Sequence, residues 1–183
     1  MRQIQYRTPL MLLESRPQAE TPQSTLRGMP EGIAGTRATL AAMRAAALAA
    51  HTTLEIRDLA ENIIAGVPAK DFRGELEAIQ QWVKDNIRYT RDPTYAETLK
   101  IPHALLEAPQ GDCDDQATLV AALALSIGFK PRFVAIAVDN PGIFDHVYTE
   151  VKLGTRWLSV ETTEPVPVGW QPEGVKTRLE WHI

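Results

Sequence analysis

Cys113 is the one cysteine in a chain of 183 residues. A lone thiol forms no disulfide within its chain and builds no cysteine-based zinc cluster. Its surroundings point to chemistry. The run Gln110-Gly111-Asp112-Cys113-Asp114-Asp115 is polar, whereas a cysteine that only fills a core is expected among apolar residues. Gly111 permits a tight turn, and Asp112 suits a helix N-cap, so Cys113 falls at the first helical position. There the unpaired amides and the positive end of the helix dipole favour a thiolate. Asp114 and Asp115 also suit a helix start, but their charges oppose a thiolate in part. The nucleophile therefore needs a histidine.

Four histidines are available. His51 lies between helical stretches, His103 in a proline-bounded loop, and His182 next to the last residue. His146 lies on a strand, Phe144-Asp-His-Val-Tyr-Thr-Glu-Val151. If Gly154-Thr155 is a two-residue hairpin turn, Leu153 pairs with Arg156. His146 then faces Thr163, Tyr148 faces Glu161, and Lys152 faces Trp157. Alternate residues share a face, so His146, Tyr148 and Glu150 point the same way as Trp157, Ser159 and Glu161. Glu161 becomes the diagonal neighbour of His146, within reach of a long side chain. Asp145 is on the other face, and Asp139 sits in a turn. A thiol, an imidazole and an orienting acid are what nucleophilic acyl transfer requires.

The elements that must hold these groups are readable from periodicity. Residues 1–35 carry Pro9, Pro17, Pro22, Pro30, Gly28, Gly32 and Gly35, a composition that reads as an extended arm; Met1 to Leu13 could add one edge strand. Residues 36–183 form the main domain. Thr36 to Ala50 is predicted helical from its Ala and Leu content. Thr52-x-x-Glu55 reads as a capping box for a second helix ending at Ile64, and Phe72 to Ile87 is a third. Residues 91–109 look like a long loop with at most one helical turn near His103 to Glu107. Asp112 to Ile127 is helical. Arg132–Val138, Phe144–Leu153, Arg156–Thr162 and Val175–His182 read as strands. Helices followed by antiparallel strands imply an α+β fold with a meander sheet.

Charge and length exclude other classes. The net charge is −4, with six Arg against three Glu in residues 1–50, leaving −7 on the remainder. Such a body disfavours nucleic acid as a partner. Apolar stretches such as Ala45 to Ala50 are far below the roughly 18 residues of a membrane span. Leu10-Met-Leu-Leu13 is too short for a signal-peptide core. A single free thiol fits a reducing, cytoplasmic setting.

Gly111-Asp-Cys-Asp-Asp, an Ala/Leu helix, Gly128-Phe-Lys-Pro-Arg-Phe-Val, His146-Val-Tyr-Thr-Glu-Val and Trp157-Leu-Ser-Val-Glu161-Thr-Thr together resemble the transglutaminase-like superfamily. The resemblance covers roughly residues 53–165 and is nearest in look to small proteins of bacteriophages and prophages. It implies a papain-like core, with helices packed on an antiparallel sheet. It also implies Cys113 as nucleophile, His146 as general base and acid, and Glu161 as the orienting acid where relatives usually have Asp. The Cys113 amide is an expected oxyanion donor, with Tyr89 or Gln110 as the second and Asp112 in support. No cofactor or metal is implied. The expected function is cysteine-dependent acyl transfer on a protein or peptide substrate, by hydrolysis or crosslinking. The alternative is a non-catalytic assembly component, for example of a phage particle, whose Arg-bearing arm docks on a structural protein.

Overall fold

The computed structural model describes residues 23–25, 32–91 and 98–183. The chain runs β1 (Gln23–Thr25), α1 (Ile33–Ala50), α2 (Leu54–Ile64), α3 (Phe72–Asn86), β2 (Arg88–Tyr89), β3 (Thr98–Lys100), α4 (Pro102–Glu107), β4 (Gln110–Gly111), α5 (Cys113–Ser126) and then β5 (Pro131–Ala137), β6 (His146–Leu153), β7 (Arg156–Val160) and β8 (Thr177–His182). This is the expected α+β order.

The centre is α5. Every residue from Asp115 to Ala124 is buried, and a helix covered all round must lie inside the structure. One side packs on β6; α1, α2 and α3 lie against its other sides. The helices contribute one apolar stripe each: Leu40, Met43 and Ala47 from α1, Ile56 and Ala60 from α2, and Leu76, Ile79 and Val83 from α3. Phe133, Ala135, Val147, Val151 and Val160 complete this core from the sheet. None of the described helices is long and apolar enough to cross a membrane.

The sheet order is β7-β6-β5-β8, antiparallel throughout. It is therefore not a simple meander: β8 passes the hairpin and pairs with β5. Main-chain bonds fix that crossing, from Gly169 N–H to Ser159 C=O and from Lys176 N–H to Ala137 C=O. The β6–β7 register is the expected one, with Leu153 opposite Arg156 and Lys152 opposite Trp157. Gly154 takes the left-handed conformation that the tight turn requires (φ 63°).

Other local expectations need correction. The helix begins at Ile33, inside the stretch expected to be the 1–35 arm. Part of that stretch, Gln23–Thr25, is a strand paired antiparallel with Thr98–Lys100; the Met1–Leu13 strand lies outside the described residues. The supposed 91–109 loop therefore contains β3 as well as α4. Thr53, not Thr52, caps α2, its hydroxyl accepting from Ile56 N–H. Glu55 does not close a capping box, because it faces His103 instead (2.7 Å).

That pair pins α4 to α2. The hydrogen bond that His103 donates to Glu55, and the Glu55 charge, raise the His103 pKa. A raised histidine pKa adds stability below the unfolded value of about 6.5, and the contribution is lost as pH rises through the folded value. The pair is solvent-exposed, so the effect is small. Wild type should exceed Glu55→Gln in melting temperature by more at pH 5.5 than at pH 8, as measured by thermal unfolding of both proteins.

Candidate functional site

β6 begins at His146, and its pairing with β7 stops at Thr149 opposite Val160. His146 and Glu161 thus lie beyond the last paired rung, where the two strands part. The Glu161 carbonyl finds its partner on α3 instead: Gln80 Nε2 donates to it at 2.7 Å. Gln80 also reaches Val166 C=O, and Lys84 Nζ donates to the same oxygen at 2.8 Å. So α3 holds the turn that carries the acid. Sequence reading missed Gln80. The signal was a polar residue inside the Leu76, Ile79, Val83 stripe, where burial demands a partner.

Glu161 is 1% exposed, and both of its oxygens are satisfied. Oε2 accepts from His146 Nε2 at 2.6 Å, while Oε1 accepts from the Thr163 N–H (2.6 Å) and hydroxyl (2.8 Å). Burial alone would raise the Glu161 pKa; the His146 and Thr163 bonds outweigh it and lower the value. The carboxylate is therefore charged, and an acceptor-only group places the ring proton on Nε2 and leaves Nδ1 free. Thr163 was expected to face His146 across the hairpin; beyond the last paired rung it clamps the acid instead.

Cys113 is the first residue of α5, as expected. Its thiol departs from expectation. Burial is the largest effect, the charges of Asp114 and Asp112 add to it, and the pKa is pushed up to about 12. The amides of Val147 and of Cys113 itself pull it the other way. The helix start does not yield a resting thiolate, because desolvation and two carboxylates exceed a dipole worth about 1 kcal/mol. The helix that starts at Cys113 packs on β6, the strand that begins at His146.

Asp112 occupies the N-cap position, but its side chain makes no capping bond. It lies against Asp114 instead, and burial together with that neighbouring carboxylate raises the Asp114 pKa well above its ordinary value. Asp115 is buried and receives the Lys100 amide (2.7 Å) and ammonium (3.1 Å). Burial still raises it to about 6. The three carboxylates approach within 4.8 Å of one another, close enough to hold a cation.

The two proposed oxyanion residues sit in the short β2–β4 pair that precedes Cys113 in the chain. Tyr89 pairs in parallel with Gly111 and is 46% exposed. Gln110 is exposed, and its side-chain oxygen accepts from Arg88. The other histidines have separate work: His51 Nδ1 meets Leu48 C=O at the end of α1, and His182 packs edge-on to Trp157.

A model of the transglutaminase-like superfamily matches residues 57–162. No curated protein matches. Among solved structures, a candidate protease from Parabacteroides distasonis shares 11% identity with a TM-score of 0.56, over 76% of this chain and 30% of that one. A candidate cysteine protease from Cytophaga hutchinsonii shares 22% identity with a TM-score of 0.49, over 62% and 38%. Legionella pneumophila LapG shares 19% identity with a TM-score of 0.47, over 67% and 73%. The chain thus spans about a third of the length of the first two proteins.

Two substitutions test this geometry. A Cβ on Gly111 would lie 2.5 Å from an Asp115 carboxylate oxygen and 2.8 Å from its Cβ, and Lys100 pins that side chain. Gly111→Ala should cost about 1–3 kcal/mol in denaturant unfolding. Asp112→Asn keeps a capping residue but removes a charge that raises the thiol pKa. Iodoacetamide should therefore alkylate Cys113 several-fold faster at pH 8 in that variant than in wild type.

Proposed function

The chain belongs to the transglutaminase-like superfamily, and from that premise we propose that it transfers acyl groups from carboxamide or peptide bonds through a thioester on Cys113. The observation that carries this reading is the His146–Glu161 bond at 2.6 Å, on the strand against which the helix that starts at Cys113 packs. In its resting form Cys113 is a neutral thiol. His146 Nδ1, the nitrogen left free by Glu161, takes the Sγ proton as sulfur attacks the carbonyl carbon. The negative oxygen that forms is met by the Cys113 amide. Collapse breaks the C–N bond, and the imidazolium returns the proton to the departing amine. Water, with His146 again as base, then attacks the thioester and releases the acid and the thiol.

An amine in place of water would give a crosslink by the same steps. We favour hydrolysis. Glu161 supports the imidazolium through its charge and fixes the tautomer, the role an orienting acid plays in this chemistry. Its extra methylene relative to aspartate is accommodated because Thr163 holds the far oxygen.

An activated ester tests the reading without knowledge of the natural substrate. p-Nitrophenyl acetate should release a burst of nitrophenol from the full chain, with acetyl found on Cys113 by mass spectrometry. Cys113→Ala should abolish the burst. His146→Ala and Glu161→Gln should each slow it by at least about 100-fold. A burst that survives Cys113→Ala, with acetyl only on lysines, overturns the proposal. Added n-butylamine that accelerates deacylation, with butylacetamide as product, would favour transfer over hydrolysis.

A further inference from the structure

The face of the sheet that carries His146 also carries a chain of ionic and aromatic contacts. Tyr148 is two residues along the same strand. Its ring stacks near that of His146, with centroids 5.9 Å apart and planes 28° apart. Tyr148 is 2% exposed and packs with Val134, Ile136, Val138 and Val175. Val134 is its cross-strand partner, as Ile136 is for His146. The ring therefore has no space to swing away from the imidazole.

The phenol end is fastened as well. Arg178 Nη1 donates to Tyr148 Oη at 2.8 Å, and Arg178 Nη2 donates to Glu150 Oε1 at 2.8 Å. Arg132 holds the other Glu150 oxygen through Nε (2.9 Å) and Nη2 (2.6 Å). Burial opposes ionisation of Glu150, but Arg178 and Arg132 outweigh it and keep it charged. A buried carboxylate with one cation on each oxygen is a rigid anchor, because loss of either partner would leave a charge uncompensated.

We propose that Tyr148 is a positioning residue that sets the plane of the His146 ring, its own ring held chiefly by the apolar packing around it. The inference rests on His146 being the base of the reaction. Glu161 grips the imidazole at one atom, Nε2, and a single hydrogen bond leaves the ring free to rotate about the N···O line. The tyrosine face removes that freedom, so that Nδ1 stays directed at one point. The same ring face, electron-rich, attracts the imidazolium that forms when His146 takes the proton. The contact thus favours the charged intermediate as well as the geometry.

Acylation by p-nitrophenyl acetate, followed by stopped flow on the full chain, tests this directly. Tyr148→Phe keeps the ring and loses only the Arg178 bond; its maximal acylation rate should stay within about threefold of wild type. Tyr148→Leu removes the flat face. Its maximal rate should fall about 30-fold with the half-saturating ester concentration unchanged, as expected when a reacting group is misplaced. The downfield proton resonance of the His146–Glu161 bond should be sharp in wild type and Tyr148→Phe and broadened in Tyr148→Leu. If Tyr148→Leu does not fold, Tyr148→Met retains more buried volume without a ring and should show the same two changes. A folded Leu or Met variant with wild-type rate and a sharp resonance overturns the proposal. His146→Ala acylating as fast as wild type would instead sink the underlying assignment of the base, so the two failures are told apart.

Discussion

A carboxylate removed from water must have both oxygens answered, and Glu161 is the place where this protein meets that demand. One oxygen is held by Thr163 and the other by His146. Much of the architecture follows. The hairpin must open past Thr149 and Val160 for the side chains to meet, so the Glu161 carbonyl needs a substitute partner, and α3 offers Gln80. The chain after β7 must stay against α3, where Lys84 and Arg73 hold the carbonyls of Val166 and Val168. Only then does it cross to make β8. The edge-to-edge crossing and the acid at the strand end are one construction.

The thiol answers a different constraint. An N-terminal helical position usually makes cysteine more acidic. Here the helix is central, so its first turn is partly buried, and carboxylates crowd it. Desolvation and like charge both disfavour a second negative centre, and they prevail over the helix dipole. The consequence is a thiol that stays protonated at rest. This makes the orientation of His146 more important than it would be beside a preformed thiolate. In the proposed mechanism it also gives purpose to an imidazole bonded at its edge to Glu161 and stacked at its face on Tyr148.

What the sequence disclosed depended on how local the cause was. The diagonal placement of His146 and Glu161 followed from a two-residue turn and period-two alternation, which are short-range rules. Cys113 at a helix start followed from Gly111 and Asp112. The α+β order was legible from the change of period near residue 130. The misses arose at longer range. β3 exists because a distant segment, Gln23–Thr25, pairs with it, and nothing within residues 98–100 announces that. β8 pairs with β5 because the chain is held at α3, a tertiary contact. The sense of the thiol shift was misjudged because it depends on burial of α5, and the carboxylates' opposition was weighed without that burial. Glu55 was lost from its capping box to a histidine 48 residues away.

The proton of Cys113 decides how much work is left to His146. Since the chain has one cysteine, thiolate absorbance in the ultraviolet, taken as the difference between wild type and Cys113→Ala, reports that group alone. No absorbance step is expected between pH 5 and about 9, with thiolate appearing only above that, beyond the ordinary cysteine value of about 8.5. A step below pH 7, signifying a resting thiolate–imidazolium pair, would contradict that expectation.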